Sequence, residues 1–337
     1  MLLKVELRRF FTRRFGMVMS LATVAAMAVI LIIAMANSHK PSADEIAYAE
    51  SEAAAARIDM APRFDECQRM SPLPAVVDGE ENWLSGQDCA QYDPDLIDAA
   101  NYLYGSVSFT QDVPPLMYVF GCLIAMAGMV TAASFVGAEW PTGGMTNLLL
   151  WKPRRMEVFF SKLGASLITI TAGAFGLTGV FLLLMWVITS VGGYVGDVNS
   201  TWLGEFVEQV LRMAALPVML TVVGFSIAML GRRTAAALGA LAAYAVVFEF
   251  GLRIIGQFIP GLYFLELFTL SPYVIGWLIG RYEIVDYGSS YSNYGDYVEP
   301  TTITIDRVGG SIVLLLFTLV LVGAAAWVFK RRDVANG

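Results

Sequence analysis

The chain has 337 residues, of which 57% are hydrophobic and 15% charged, with a formal net charge of −7 and a mean hydropathy of +0.61. A soluble domain carries about 25% charged residues, so the composition excludes an ordinary soluble enzyme and points to a polytopic membrane protein. The negative sum gives no support for nucleic-acid binding, because it comes from acidic residues crowded between Asn37 and Val113, while other interhelical segments are basic.

Leu2 to Phe15 reads as an amphipathic helix, with Leu3, Leu7, Phe10 and Phe11 on one face and Lys4, Arg8 and Arg9 on the other. It is expected to lie in the cytoplasmic interface, its arginines near anionic lipid headgroups. It is not a signal peptide, because the following apolar stretch is too long and ends in no small-residue cleavage site. That stretch, 16–36, is the first predicted span, close to the ~20 residues a bilayer needs. Residues 37–113 form an extracellular cap. Ser42 to Met60 is rich in Ala and Glu, with Glu45 three residues after Ser42 at capping-box spacing. Beyond it, little regular structure is expected. Cys67 and Cys89 lie in this cap, where an oxidising compartment favours a disulfide. Cys122 falls in a span and reads as a small packed residue. With His39 the only histidine, neither metal binding nor acid–base catalysis is supported.

The second span covers 114–138. A loop at 139–157 follows, with Lys152, Arg154, Arg155 and, just beyond, Lys162 as a basic cluster that belongs on the cytoplasmic side. The glycines Gly143 and Gly144 open a short apolar segment, Met145 to Trp151, and Pro153 closes it, which predicts a short helix lying across the membrane surface. The third span, 158–191, is longer than one crossing and carries Gly173, Gly176 and Gly179 along it, small residues that permit close helix contact. Asn199-Ser200-Thr201 in the next loop matches a glycosylation sequon but is discounted as a modification site.

The fourth span, 206–230, ends at Arg232 and Arg233. Glu208 and Arg212 stand four apart near its outer end. The fifth, 234–259, holds Glu249 and Arg253, again four apart with Glu first, the better order for an intrahelical ion pair. Charges within a span are rare and cost ~2.5–3.5 kcal/mol at a helix centre. Pro260 and Pro272 then break an aromatic stretch that is too interrupted to cross, so 260–310 is expected to dip into the outer leaflet and return, with Glu266 at the outer mouth. The sixth span, 311–329, closes on a basic tail, 330–337. The class is therefore an all-α polytopic membrane protein with six transmembrane helices, both termini cytoplasmic, an extracellular insert between helices 1 and 2, and re-entrant helices between 5 and 6.

The segment from Glu139 to Lys162 resembles the cytoplasmic loop of type-2 ABC exporter permeases. Glu139, Gly143, Leu148, Leu149, Pro153, Arg155 and Lys162 take the places of that family's Glu, Gly, Leu-Leu, Pro, Arg and Lys, and Glu157 fits as well. Gly144 stands where a Thr is usual, Pro141 where a basic residue is common, and Pro153 is one residue nearer the Arg. The resemblance implies a bacterial plasma-membrane exporter subunit that couples to separate ABC ATPase subunits through these residues together with Gly144 and Met145. It further implies a second permease copy or a homologous permease as partner, and ATP and Mg held in the ATPase, with no cofactor in this chain. No Gly-x-x-x-x-Gly-Lys-Ser/Thr phosphate cradle occurs. Leu84-Ser85-Gly86-Gln87 imitates an ABC signature but falls in the cap, where it reads as coincidence. A second reading is a non-transporting sensor or scaffold that displays the acidic cap. An intramembrane enzyme has no catalytic constellation behind it.

Overall fold

The computed structural model describes residues 2–73, 76–77, 80–81, 89–259, 262–286 and 301–331. The Leu84–Gln87 tetrapeptide and tail residues 332–337 lie outside them. Among the described residues are six helices long and apolar enough to cross a membrane, at the six places where the apolar runs predict them. Two compact units divide the chain: Met1–Thr23, Gly121–Phe175 and Arg212–Gly337 form one, Val24–Phe120 and Gly176–Leu211 the other.

α1 (Leu2–Thr12) is shorter than predicted. The chain breaks at Arg13, whose guanidinium is drawn to the Ser134 carbonyl at 3.0 Å, and α2 (Arg14–Ala36) starts at once. α3 (Ala43–Met70) is capped as read: the Glu45 amide donates to Ser42 Oγ at 3.3 Å and the Ser42 amide to Glu45 Oε2 at 2.7 Å. α3 runs well past the predicted end and through Pro62. A proline removes one amide donor, but the helix-favouring run Arg63 to Met70 carries the turn on. Cys67, near its end, is joined to Cys89 with Cα atoms 5.7 Å apart, as expected. β1 (Val76–Val77) and β2 (Glu80–Glu81) pair antiparallel, and three 3-10 turns follow at Cys89–Tyr92, Pro94–Leu96 and Ala99–Tyr102. Ala49 and Ala53 of α3 pack on Ala99, with Ile97, Tyr102 and Leu103 around them. The insert is thus more regular than its composition predicts.

Asp98 is the polar centre of this second unit. Its carboxylate accepts from Thr110 Oγ1 at 2.5 Å, from the Asp197 amide at 2.8 Å and from the Ala100 amide at 3.3 Å. One of the many acids in the insert is therefore a buried brace rather than a solvated charge.

α4 (Phe109–Gly137), α5 (Gly144–Trp151), α6 (Arg155–Gly192) and α7 (Ser200–Gly231) come next. α6 has 38 residues, about 57 Å at 1.5 Å per residue, so it outruns a ~30 Å hydrocarbon core. Cys122 on α4 is exposed, which corrects its expected packed position. It shares that exposed side with Val119, Leu123 and Met126, the apolar side a span offers to lipid. In the first unit, Phe10, Phe135, Met145, Phe159, Phe225 and Phe329 belong to one apolar core. Phe159 meets Phe225 edge-on at 5.3 Å.

The fifth span is α8 (Thr234–Tyr244), a π segment (Ala245–Leu252) and α9 (Arg253–Phe258). After a 3-10 turn at Tyr263–Phe268, α10 (Ser271–Ile279) has nine residues, about 14 Å, too short to cross. β3 (Arg281–Asp286) and β4 (Thr301–Asp306) then pair antiparallel, Arg281 opposite Asp306 and Asp286 opposite Thr301. This hairpin replaces the loop expected there. Its signal was present, since Arg-Tyr-Glu-Ile-Val-Asp and Thr-Thr-Ile-Thr-Ile-Asp alternate and are rich in β-branched residues. α11 (Arg307–Arg331) is the last span.

Candidate functional site

The loop between α4 and α6 is built on Gly143. Its φ of 72° lies in the left-handed region that glycine enters without penalty, and this turns the chain into α5. The Met145 amide donates back to the Glu139 carbonyl at 3.1 Å. Within α5, Met145 (0% exposed) and Leu149 point into the core, while Leu150 and Trp151 are 76% and 89% exposed. Pro153 stops the helix from running on, and Lys152 bonds the Glu157 carboxylate. Arg155, partly exposed, donates to the Lys330 carbonyl at 3.4 Å.

Glu139 and Lys162, expected among the coupling residues, face inward. Both lie against α1, where they join a buried ionic cluster. Lys162 Nζ sits 2.8 Å from Glu6 Oε2 and 2.6 Å from Glu139 Oε2. The other Glu139 oxygen takes Arg13 Nη2 at 2.9 Å. Arg9 reaches Glu6 at 3.4 Å. The Arg13 guanidinium and the Lys162 ammonium each lie 5.0 Å from the Phe135 ring centre, a cation–π arrangement. Glu6 and Lys162 are both 0% exposed, so neither charge has water as an alternative partner. Removing Lys162 leaves a buried carboxylate oxygen on both Glu6 and Glu139 without its cation.

The sequence reading missed Glu6. It placed Leu3, Leu7, Phe10 and Phe11 on one face, but the buried residues of α1 are Glu6 and Phe10, with Phe11 68% exposed. The available signal was the single acid in an otherwise basic helix, one turn from Phe10. A cleft of about 620 Å³ opens beside the cluster, lined by Arg9 and Thr12 from α1, by Arg13 after it, and by Glu139, Gly144, Asn147, Leu148 and Trp151.

Glu249 and Arg253 meet through Ser271. The Ser271 hydroxyl donates to Glu249 Oε2 at 2.5 Å and accepts from Arg253 Nη2 at 2.7 Å. Glu249 also takes the Tyr244 hydroxyl at 2.7 Å. Of the expected outer-mouth residues, Glu208 is exposed on α7 in the second unit. Arg212 and Glu266 belong to the first unit, where Glu266 accepts from Tyr282 Oη at 3.3 Å. Burial, with the Glu266 charge added, pushes the Tyr282 phenol above its ordinary pKa.

Comparison with known proteins returns no match. No family model, curated protein or solved structure is similar to this chain at a significant level.

Proposed function

We propose that this chain is the membrane-spanning permease subunit of an ATP-driven exporter, moved by ATPase subunits on separate chains. The observation that carries the reading is α5, a short helix with one face packed in the core and Leu150 and Trp151 bare on the other. Large apolar side chains exposed together mark a contact surface, and Trp is among the commonest anchors of such contacts. The helix lies between spans α4 and α6, in one of the chain's basic loops. Basic loops stay in the cytoplasm, which favours both termini inside and the insert outside, and the family resemblance implies a bacterial plasma membrane.

In this reading the ATPase grips Leu150 and Trp151. Force passes through Met145 and Leu149 to the core, and through Glu139 and Lys162 to α1. Such coupling needs a connected, rigid element rather than mere closeness, and the buried ionic cluster supplies the rigidity. Arg155 holds the start of α6 against the Lys330 carbonyl. A second copy or a homologous permease completes the path, and ATP and Mg belong to the ATPase.

The test is co-purification with the candidate ATPase, followed by ATP hydrolysis in proteoliposomes. Trp151→Asp is expected to abolish both assembly and transport-linked hydrolysis while leaving the permease folded. Unimpaired assembly with unchanged hydrolysis would overturn the reading. Leu149→Asp is a poorer probe, because Leu149 is buried.

The second reading, a sensor or scaffold without transport, is favoured by one observation. The insert builds its own core on Ala49, Ala53 and Ala99 and carries its own disulfide. A scaffold would bring down no ATPase in stoichiometric amount.

A further inference from the structure

The fifth span does not continue as a plain α-helix. Between α8 and α9 the eight residues Ala245–Leu252 form a π segment. Such segments are rare, carry i→i+5 hydrogen bonds, and occur often at functional sites. Glu249 lies inside it. Its Oε1 accepts from the Leu270 amide at 3.1 Å and the Ser271 amide at 3.2 Å. These amides open α10, whose own cap residue, Leu270, makes no side-chain cap. The first amides of a helix have no partner within it, and a carboxylate there also meets the positive end of the helix dipole. The Tyr244 hydroxyl, one turn before, donates to Glu249 and accepts from the Leu270 amide at 2.7 Å. A span thus caps a neighbouring short helix with its own acid.

The body of α10 belongs elsewhere. It packs on α11 at Gly310, where a Cβ would lie 2.5 Å from the Tyr273 carbonyl oxygen and 3.0 Å from the Trp277 amide. Only glycine permits that approach, so α10 and α11 form one block. The cap at Glu249 ties the fifth span to it.

We propose that the π segment and Glu249 form a releasable latch between the fifth span and the α10–α11 block. A π segment holds extra backbone in each turn. Return to i→i+4 bonding shifts the register by one residue, which turns the following side chains by about 100°. That turn carries the Glu249 carboxylate off Leu270 and Ser271, and α10 loses its cap. The segment is free to rearrange on its other side, where Val246, Val247 and Phe250 are 65%, 57% and 65% exposed. Few packed contacts keep local opening inexpensive. The span then moves against the block, and because the latch involves no residue of α5 it stands or falls apart from the ATPase reading.

The test is hydrogen exchange of the full-length chain in lipid nanodiscs, read on peptides covering 267–275. In the native protein, Leu270 and Ser271 exchange slowly. Glu249→Ala is expected to speed them about tenfold, the loss of a charged cap, and Glu249→Gln to give a smaller increase. Deletion of Val247, which removes the extra residue, is expected to do the same as Glu249→Ala. Peptides within α11 should keep native rates in all three, which separates release from unfolding. Unchanged exchange at Leu270 and Ser271 in both Glu249 variants refutes the latch. Retained protection in the Val247 deletion refutes the π-to-α exchange.

Discussion

Glu6 and Glu249 are both acids set in apolar surroundings, and each holds a helix in place, but they are satisfied by different chemistry. Glu6 is fully buried and bonded to Lys162, which shares itself with Glu139. Glu249 is partly buried and is met by two hydroxyls and two amides. The first arrangement is an ion cluster centred on one fully buried ammonium that two acids share. The second is a set of dipoles that can be exchanged one at a time. The comparison teaches that a buried ion cluster suits a joint that must stay closed, and a hydrogen-bonded acid suits one that opens.

The widest gap between the two is exposed by charge removal. Lys162→Met leaves one oxygen each of Glu6 and Glu139 without its ammonium, with only the longer, half-exposed Arg9 contact left on Glu6, and is expected to destabilise the chain by about 3 kcal/mol. The midpoint of thermal unfolding in detergent measures this. Glu6→Leu should cost clearly less, because Lys162 keeps Glu139 at 2.6 Å. Equal losses would break the picture of a shared cation. At the other site, Tyr244→Phe removes one of several donors to Glu249 and is expected to cost about 1 kcal/mol. A loss as large as that of Lys162→Met would erase the distinction.

A third acid sharpens the series at its exposed end. Glu45 caps α3 in the insert, and its carboxyl is held below its ordinary pKa, first by the Ser42 amide and then by the Ser42 hydroxyl. A lowered pKa in the folded chain stabilises above the unfolded value and is lost as pH falls through the folded one. The start of α3 should therefore loosen as pH drops below about 4, seen as faster exchange in peptides covering 42–48. Ser42→Ala should weaken this pH dependence, and its effect on global unfolding should be the smallest of the set. Raising salt should trim the Arg63–Asp59 pair of α3, 3.3 Å apart and exposed, and leave the Glu6–Lys162 bond unchanged, since exposed charges are screened far more than buried ones.

Much of the architecture could be read before the structure. Six runs of apolar residues long enough for a bilayer became six helices, because length against a ~30 Å core is a constraint that tertiary context cannot override. The α5 helix was legible from Gly143, Gly144 and Pro153, and the Ser42 cap from its spacing to Glu45. What escaped depended on distant partners. Nothing near Glu6 announces Lys162, which lies 156 residues away, so an acid on a basic helix reads as solvated. The π segment escaped because its hydrogen-bond register is set by what Glu249 and Tyr244 reach for, at Leu270 and Ser271. The extension of α3 past Pro62 escaped because a proline weakens a helix without always ending it.

The ion cluster also constrains how this sequence can change over generations. Glu6 and Glu139 balance Arg13 and Lys162, acid for base, in bonds of 2.6–2.9 Å. Altering Lys162 alone leaves two acids short of their shared ammonium, so drift at that position through single substitutions is disfavoured. Descendants of this chain should keep all four or exchange them as a set, and correlated change between positions 6 and 162 would be the trace that such a history leaves.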